Sequence, residues 1–239
     1  MAGLITWHEL ITSDVEAATR FYTELLGLEL ETADMGDFQY PMLQKDGRTH
    51  AGFVPKPAEA QAPSHWYPYV QADDVDAAVE RAKELGAQVY MGPAEVSERL
   101  RFAVLGDPHH ASFGVMTWSE EPPTGVFAWD ELYAEDVEAA KSFYGGVFGW
   151  TTSPAPFEGY RFFDAGETHI AGLMKKTDEL PHSAWGTYFS TGDVDASTAR
   201  AQELGATVMV PPTPLADVGR FAVLADPTGA AFGLYVQLD

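Results

Sequence analysis

The sequence predicts an α+β protein built from four βαβββ modules that pair into two tandem domains. Two observations lead to this prediction. A helix-start pattern, Asp-Val-Glu-Ala-Ala or a close variant, recurs four times at intervals of about 60 residues, and the second half of the chain repeats the order of the first. One module cannot cover both faces of its sheet, so each pair should form a curved mixed sheet that encloses a cup, with the helices outside. The four patterns begin at Asp14, Asp74, Asp136 and Asp193.

In the first module, residues 5–11 are rich in strand formers and precede a helix from Asp14 to Leu26. Asp14 suits the N-cap position because its carboxylate accepts hydrogen bonds from free backbone N–H groups. Apolar residues recur inside this helix at helical spacing, and Gly27 suits the position just after it. Three further strands are expected, at residues 28–32, 38–44 and 50–54.

The second module follows a linker of proline and small polar residues at positions 55–64. Its first strand is expected at residues 66–71 and its helix from Asp74 to Leu85, where Gly86 ends the helical pattern. The remaining strands are expected at residues 88–91, 101–105 and 111–118.

The second half is a diverged copy of the first. Residues 129–132 echo residues 7–10, and residues 220–224 copy residues 101–105. The segment between the halves, residues 119–126, contains proline and charge and suits a domain boundary. The predicted domains are residues 1–118, with modules at 5–54 and 65–118, and residues 127–239, with modules at 127–175 and 184–238.

Composition limits the expected partners. The formal net charge is −22, and such a surface repels phosphate backbones and anionic lipid, so neither nucleic acid nor a membrane is an expected partner. The absence of cysteine excludes disulfides, thiolate metal sites and cysteine nucleophiles. The chain begins without a signal-peptide pattern and contains no apolar run near the ~20 residues of a membrane span, so a cytoplasmic location is predicted. Exposed sheet edges at the module junctions would allow a homodimer.

The order of motifs resembles a known superfamily. Across the modules, strands are followed by Asp-Val-x-Ala-Ala, Phe-Tyr and Leu-Gly, and Asp-Pro-x-Gly precedes a last strand. This order resembles the vicinal oxygen chelate superfamily, which includes glyoxalase I, extradiol dioxygenases, and fosfomycin and bleomycin resistance proteins. The resemblance covers nearly the whole chain. The Trp-x-Glu-Leu opening of each half also resembles a two-domain actinobacterial glyoxalase-like group, of which some members are labelled hydroxylases and others accompany aromatic polyketide biosynthesis.

The resemblance implies where a metal would bind. Metal-dependent members carry His, Gln or Glu at four positions per domain: two on first strands, seven residues before the helix-start acid, and two on last strands. Here these positions hold only tryptophan, tyrosine and glycine, so we predict neither a metal ion nor another cofactor. The eight positions are Trp7, Gly52, Tyr67, Gly114, Trp129, Gly172, Gly186 and Gly233.

The same replacements predict a roomy apolar pocket that binds a small aromatic or polyketide-like molecule. Glycine removes side chains from the pocket wall, and the aromatic residues add flat surfaces. Strand alternation puts Glu9 on the same face as Trp7, and Glu131 on the same face as Trp129. The same count places four more side chains on the inward face: Tyr69, Met116, Tyr188 and Tyr235.

Three functions remain open at this point. The first is metal-independent binding, for sequestration, for resistance or as an accessory in secondary metabolism. The second is an isomerase, a cyclase or a cofactor-free oxygenase in which Glu9 or Glu131 acts as acid or base; these carboxylates could instead be structural and pair with Arg101 and Arg220. The third is a metal-dependent glyoxalase- or dioxygenase-type enzyme with relocated ligands drawn from His8, His50, His65, His109, His110 and His169.

Overall fold

The computed structural model describes residues 3–36, 38–60, 62–97, 100–118 and 122–238. Within these ranges the chain forms sixteen strands and four α-helices, and the order βαβββ occurs four times. The predicted α+β class and its four modules are confirmed. None of the helices in these ranges has the length and apolar character that crossing a bilayer requires.

The elements of the two halves correspond one to one. The first half contains β1 (Ile5–Thr12), α1 (Val15–Leu26), β2 (Glu29–Asp34), β3 (Gln39–Lys45), β4 (Arg48–Pro55), β5 (His65–Gln71), α2 (Val75–Glu84), β6 (Gln88–Ser97), β7 (Leu100–Gly106) and β8 (Ser112–Met116). The second half contains β9 (Phe127–Ala134), α3 (Val137–Phe148), β10 (Thr151–Pro154), β11 (Tyr160–Ala165), β12 (Thr168–Lys175), β13 (Ala184–Ser190), α4 (Val194–Glu203), β14 (Thr207–Leu215), β15 (Gly219–Ala225) and β16 (Ala231–Gln237). A 3₁₀ turn, Ala216–Val218, precedes β15.

The strands form two curved mixed sheets of eight, one from each half. Their orders are β2-β3-β4-β1-β5-β8-β7-β6 and β10-β11-β12-β9-β13-β16-β15-β14. In both, the first strand of a module runs parallel to its last strand, which the intervening helix and hairpin make possible. This register puts Glu9 opposite Gly52, and Glu131 opposite Gly172. The predicted pair of mixed sheets is confirmed.

The repeated aspartates cap the helices as predicted. The Asp14 side chain accepts a hydrogen bond from the backbone N–H of Ala17 at 2.9 Å, and it precedes α1 in an extended conformation. Gly27 ends α1 with a φ of 64°, a left-handed conformation that glycine adopts without strain. Asp74, Asp136 and Asp193 cap the other three helices in the same way.

The chain divides into two compact units, each with its own apolar core. One unit comprises Met1–Trp7, Tyr67–Pro122 and Trp129–Gly186, and its core surrounds α2 and α3. The other comprises His8–Trp66, Pro123–Ala128 and Thr187–Asp239, and its core surrounds α1 and α4. Each unit therefore takes one module from each half. The predicted domain boundaries stay a prediction, and residues 119–121 of the predicted linker lie outside the described residues.

A buried hydrogen-bond chain joins the repeated motifs within each unit. The Trp66 indole donates to the Tyr22 hydroxyl at 2.8 Å, and that hydroxyl donates to Asp226 at 3.0 Å. Tyr22 belongs to the Phe-Tyr motif and Asp226 to the Asp-Pro motif. These hydrogen bonds therefore give both motifs a structural role. Burial raises the pKa of the Tyr22 phenol well above its usual value. The other unit repeats the arrangement with Trp185, Tyr144 and Asp107.

Candidate functional site

Four side chains on β9 and β11, all within one unit, form a hydrogen-bonded cluster at predicted site positions. Tyr160 donates to one carboxylate oxygen of Glu131 at 2.6 Å, and Tyr133 donates to the other at 2.7 Å. The Tyr160 hydroxyl also accepts a hydrogen bond from the Trp129 indole at 2.8 Å. Hydrogen bonds to an ionised carboxylate are among the stronger ones, so two phenol donors hold the Glu131 side chain in one orientation. We call these four residues the second-half cluster.

Strand register explains how this cluster assembles. Trp129, Glu131 and Tyr133 occupy alternate positions of β9 and therefore share one face of the sheet. The strand β12 lies between β9 and β11, and its Gly172 pairs with Glu131 on one side and with Phe162 on the other. Tyr160 lies two residues from Phe162 on β11, so it shares that face and reaches Glu131 across the glycine.

Two glycines make room for the tyrosines of the second-half cluster. A Cβ atom on Gly172 would collide with the Tyr160 hydroxyl and would lie 2.9 Å from the Glu131 Cγ. A Cβ on Gly186 would lie 2.7 Å from the Tyr133 ring. Both distances are shorter than real contacts of a Cβ atom. The sequence interpretation treated these glycines as openings in a pocket wall, but the structure fills each space with a tyrosine.

The first half contains a related arrangement. Tyr40 donates to Glu9 at 2.7 Å, and a Cβ on Gly52 would collide with the Tyr40 hydroxyl. Two residues after Glu9, however, the chain has Ile11 where the second half has Tyr133. The position of Gly186 is held in the first half by Tyr67. A tyrosine two residues after the glutamate is therefore a feature of the second half.

The remaining last-strand glycines, Gly114 and Gly233, also lie beneath tyrosine rings. A Cβ on Gly114 would collide with ring carbons of Tyr69, and a Cβ on Gly233 would collide with ring carbons of Tyr188. Glycine in a strand commonly marks such a close approach. The predicted ligand-binding role of these residues stays a prediction, whereas the expectation that the glycines leave open space is wrong because the neighbouring tyrosines occupy it.

Exposure distinguishes the two halves. Trp7 and Glu9 are only 6% and 7% exposed, and Tyr67 is also buried. The Trp118 ring packs 6.0 Å from the Trp7 ring, and the corresponding position of the second half, counted from the Asp-Pro motif, is the exposed Gln237. All four residues of the second-half cluster are only partly buried. Trp129 and Glu131 are therefore more exposed to solvent than Trp7 and Glu9, their counterparts in the first half.

The other predicted inward residues have mixed surroundings. Met116 is buried on β8, opposite Phe102 of β7. Tyr188 is buried, with its ring 6.5 Å from that of Phe221. Tyr235 is partly buried, and that burial raises the pKa of its phenol.

The sequence suggested Arg101 and Arg220 as possible ion-pair partners of Glu9 and Glu131. Arg101 forms a bidentate ion pair with Asp76 of α2, at 2.7 and 2.8 Å. Arg220 forms the corresponding pair with Asp195 of α4, at 2.6 and 2.9 Å. Each guanidinium lowers the pKa of its aspartate partner. These exposed pairs join a strand to a helix, so the arginines have a structural role outside the site.

The positions that hold metal in related proteins do not fit a divalent ion in this chain. Those on the last strands are glycines, and their side-chain space is taken by tyrosines. Indole nitrogen is a donor without an in-plane lone pair, which makes tryptophan unsuitable as a ligand. Within the described part of the chain, no three or more His, Asp or Glu side chains are grouped so that they could hold a metal ion.

The histidines that could supply relocated ligands lie in separate places. The His8 ring stacks on Phe127 at 3.7 Å. His50 is buried, and burial together with nearby positive charge lowers its pKa. The His169 Nδ1 lies 2.5 Å from the carboxylate of Asp164. His65 begins β5, and His109 and His110 lie in the turn before β8.

The sequence prediction missed the two tyrosines that complete the carboxylate sites. Tyr40 and Tyr160 lie on β3 and β11, strands that contributed no residue to the predicted site. A signal was present, because each tyrosine precedes its last-strand glycine by twelve residues, as 52 − 40 and 172 − 160 show. Only the tertiary structure reveals that this spacing places the hydroxyl over the glycine.

Comparison with known proteins identifies the family. A model described as "Glyoxalase-like domain" matches residues 8–116. A second, described as "Glyoxalase/Bleomycin resistance protein/Dioxygenase superfamily", matches residues 126–234. CFP32 of Mycobacterium tuberculosis, provisionally described as a glyoxylase, is 33% identical over 245 residues, which cover 97% of this chain and 94% of the relative. The anthracycline biosynthesis protein DnrV of Streptomyces peucetius is 32% identical over 263 residues, with coverage of 97% and 92%.

Solved structures share the fold at low identity. The Mn(II)-bound glyoxalase from Novosphingobium aromaticivorans superposes with a TM-score of 0.70 at 16% identity, over 100% of this chain and 83% of that one. The 2,2',3-trihydroxybiphenyl 1,2-dioxygenase from Sphingomonas wittichii gives a TM-score of 0.69 at 16% identity, over 98% and 90%. With both halves matched by family models and full-length relatives above 30% identity, this chain belongs to the glyoxalase/bleomycin resistance protein/dioxygenase superfamily.

Proposed function

We propose that this chain binds a small, flat, hydroxylated aromatic or polyketide-like molecule at the second-half cluster, without a metal ion at the positions usual for its family. The observation that carries the proposal is the partly exposed cluster itself. Trp129, Tyr133 and Tyr160 offer aromatic surface around the oriented carboxylate of Glu131. Apolar walls with a few placed polar groups are the usual composition of a small-molecule site.

The relatives support the chemical class of the ligand. DnrV and DauV are both named anthracycline biosynthesis proteins, and both match this chain over 97% of its length. We extend that association to this chain as a polycyclic aromatic ligand. Its binding would serve sequestration, resistance or an accessory step in secondary metabolism. The acidic surface, with a formal net charge of −22, favours neutral or cationic ligands over strongly anionic ones.

Calorimetric titration with a panel of hydroxyanthraquinones and related aromatic natural products tests the proposal. The protein carries no histidine tag and is treated with a chelator before the titration. We expect binding that survives the chelator. Trp129→Ala should weaken it about tenfold, since loss of one stacked aromatic contact costs roughly 0.5–1.5 kcal/mol beyond its buried area.

Glu9→Gln in the first half is the matched control for Glu131→Gln in the second. Both changes remove a charge beside a tyrosine hydroxyl, but only Glu131 belongs to the second-half cluster. We expect the Glu131 variant to lose affinity and the Glu9 variant to keep it. Equal losses of affinity in the two variants would mean that the ligand does not bind at the second-half cluster. An absence of binding across the panel would contradict the proposed function, and loss of binding after chelation would point to a metal.

Acid–base catalysis at Glu131 is the second candidate function. The observation in its favour is that both carboxylate oxygens lie within hydrogen-bond distance of phenol hydroxyls at a partly exposed surface, where proton transfer to a ligand is geometrically feasible. Such an enzyme would be an isomerase, a cyclase or a cofactor-free oxygenase. Mass spectrometry and chromatography of each bound ligand after incubation test this candidate. Turnover should disappear in Glu131→Gln while binding remains measurable, and turnover that survives the change would contradict it.

A further inference from the structure

A carboxylate and an imidazole lie together at one end of the β11–β12 hairpin, in the same unit as the second-half cluster. The Asp164 carboxylate is 2.5 Å from the His169 Nδ1, and the Asp164 side chain is largely buried. An ionised carboxylate only accepts hydrogen bonds, so the Nδ1 carries the proton and the Nε2 of the neutral ring carries the lone pair. The His169 side chain is 53% exposed. This Asp164–His169 pair has the arrangement of an oriented base.

A β-bulge brings the two residues together. Phe163 pairs with Ala171, but the register shifts at the next residue and Asp164 pairs with His169 instead of Ile170. Residues that pair across neighbouring strands point to the same face, so the shift puts His169 beside Asp164. Bulges often re-aim a side chain in this way next to a functional site.

Phe162 connects the Asp164–His169 pair to the second-half cluster. Its ring stacks on His169 with centroids 4.2 Å apart and planes at 20°. The same ring makes edge-to-face contacts with Trp129 at 6.0 Å and with Tyr160 at 5.8 Å. One aromatic side chain thus separates the base from the proposed binding surface, and a ligand with several fused rings is long enough to contact both.

The first half has no equivalent base. Its hairpin contains a bulge in the same place, but the paired residues there are Gln44 and Thr49. The Gln44 amide donates to Glu31. The Asp164–His169 pair therefore occurs in the half whose carboxylate cluster is partly exposed, and that coincidence argues for a role in the site beyond holding the hairpin together.

We propose that the Asp164–His169 pair accepts a proton from a ring hydroxyl of the aromatic ligand, an inference that rests on the proposed function. The ligand O–H bond breaks, and the proton forms an N–H bond at the Nε2 of His169. The products are an aryl oxide on the ligand and an imidazolium that the Asp164 carboxylate stabilises. The pair thereby selects ligands with an acidic hydroxyl near one end of the ring system.

The colour of 2-hydroxyanthraquinone reports this transfer directly, because its absorbance moves to longer wavelength when the hydroxyl ionises. The dye is added to the full-length protein at a pH where the free dye is protonated, and binding is followed separately by tryptophan fluorescence. We expect bound dye to show the ionised spectrum. Asp164→Asn should lower the ionised fraction several-fold, because the imidazolium loses the carboxylate that accepts its Nδ1 hydrogen bond.

His169→Gln should abolish the spectral change while dye binding persists, and His182→Gln is the control for removing a histidine elsewhere in the same unit. Binding without any spectral change in the unaltered protein overturns the inference and leaves the proposed function standing. An absence of dye binding by fluorescence overturns the proposed function for this ligand, and the inference with it.

Modification with diethyl pyrocarbonate tests the base without a ligand, because the reagent acylates neutral imidazole nitrogen. Mass spectrometry locates the modified histidines over time. We expect His169 to react several-fold faster than His182, and Asp164→Asn to remove the difference. Equal rates in the unaltered protein overturn the inference whatever the dye shows, and a thermal melt of each variant checks that the fold is kept.

Discussion

The hydroxyl of Tyr160 occupies the space that a Cβ on residue 172 would take, so Tyr160 can reach Glu131 only because residue 172 is glycine. The same hydroxyl accepts from Trp129 and donates to Glu131. One glycine on β12 thus permits a hydrogen-bonded arrangement that extends across three strands. The consequences of this contact can be measured.

Gly172→Ala should displace Tyr160 without unfolding the protein. The collision is with the far end of a tyrosine side chain, which can rotate, so we expect a loss of about 1–3 kcal/mol in the free energy of unfolding. Affinity for hydroxyanthraquinones should fall with it, because Glu131 loses a donor. Chemical denaturation and calorimetric titration measure the two effects. Gly192→Ala is the control, since no atom lies within 4 Å of its Cβ position. Unchanged affinity in Gly172→Ala would contradict the role given to Tyr160.

Gly114→Ala should destabilise the protein more than Gly172→Ala does. The new Cβ would meet the Tyr69 ring close to its attachment point, at Cγ, Cδ1 and Cε1, and Tyr69 is buried. The ring cannot move aside without disturbing the core, so the cost should reach or exceed about 3 kcal/mol. Combining Gly114→Ala with Tyr69→Ala tests this explanation. We expect the double variant to be more stable than the sum of the single changes predicts, and simple additivity would argue against a direct collision.

Tyr22 should remain protonated until the protein unfolds in alkali. Burial is the largest cause of its raised pKa, and the nearby Asp226 adds to it. Because the pKa of Tyr22 in the folded protein lies above its ordinary value of 10.0, the resulting stability is fully present below pH 10 and is lost as the pH rises toward the folded pKa. Tyrosinate absorbance and circular dichroism, followed together, should show Tyr22 ionising only with unfolding.

Tyr22→Phe gives the matching variant. It leaves the Trp66 N–H and the Asp226 carboxylate without this partner, so we expect a loss of about 1–3 kcal/mol near neutral pH. In the alkaline titration, one tyrosine fewer should ionise together with unfolding. If the number of tyrosines that ionise with unfolding is the same in the variant, then Tyr22 titrates in the folded protein.

Trp118→Gln should expose Trp7. The two rings are 6.0 Å apart, and the second half carries Gln237 at the corresponding position. Loss of one aromatic contact and of apolar burial should cost about 1–3 kcal/mol. Acrylamide quenching of tryptophan fluorescence measures this exposure. The difference between the Trp118→Gln variant and a Trp118→Gln, Trp7→Phe double variant gives the contribution of Trp7. If quenching of Trp7 stays unchanged, then Trp118 is not what shields the first half.

Much of the fold could be predicted because its signals are local. Asp14 caps α1 and Gly27 ends it, as the sequence indicated, and both effects depend on atoms only a few residues apart. Alternation along β9 correctly placed Trp129 and Glu131 on one face. The site was predicted less well, because Tyr160 comes from another strand and acts through a glycine that the sequence interpretation treated as empty space.

By itself the sequence determined the repeat, the four βαβββ modules, the capped helices and the superfamily, since each rests on short-range periodicity or on motif order. Only the tertiary structure decided which residues surround Glu131 and that the second-half cluster is partly exposed. It also joined Tyr22 to Asp226, 204 residues further along the chain. The physical reason is that long-range partners are chosen by packing and register over the whole fold, and no local preference of the chain encodes them.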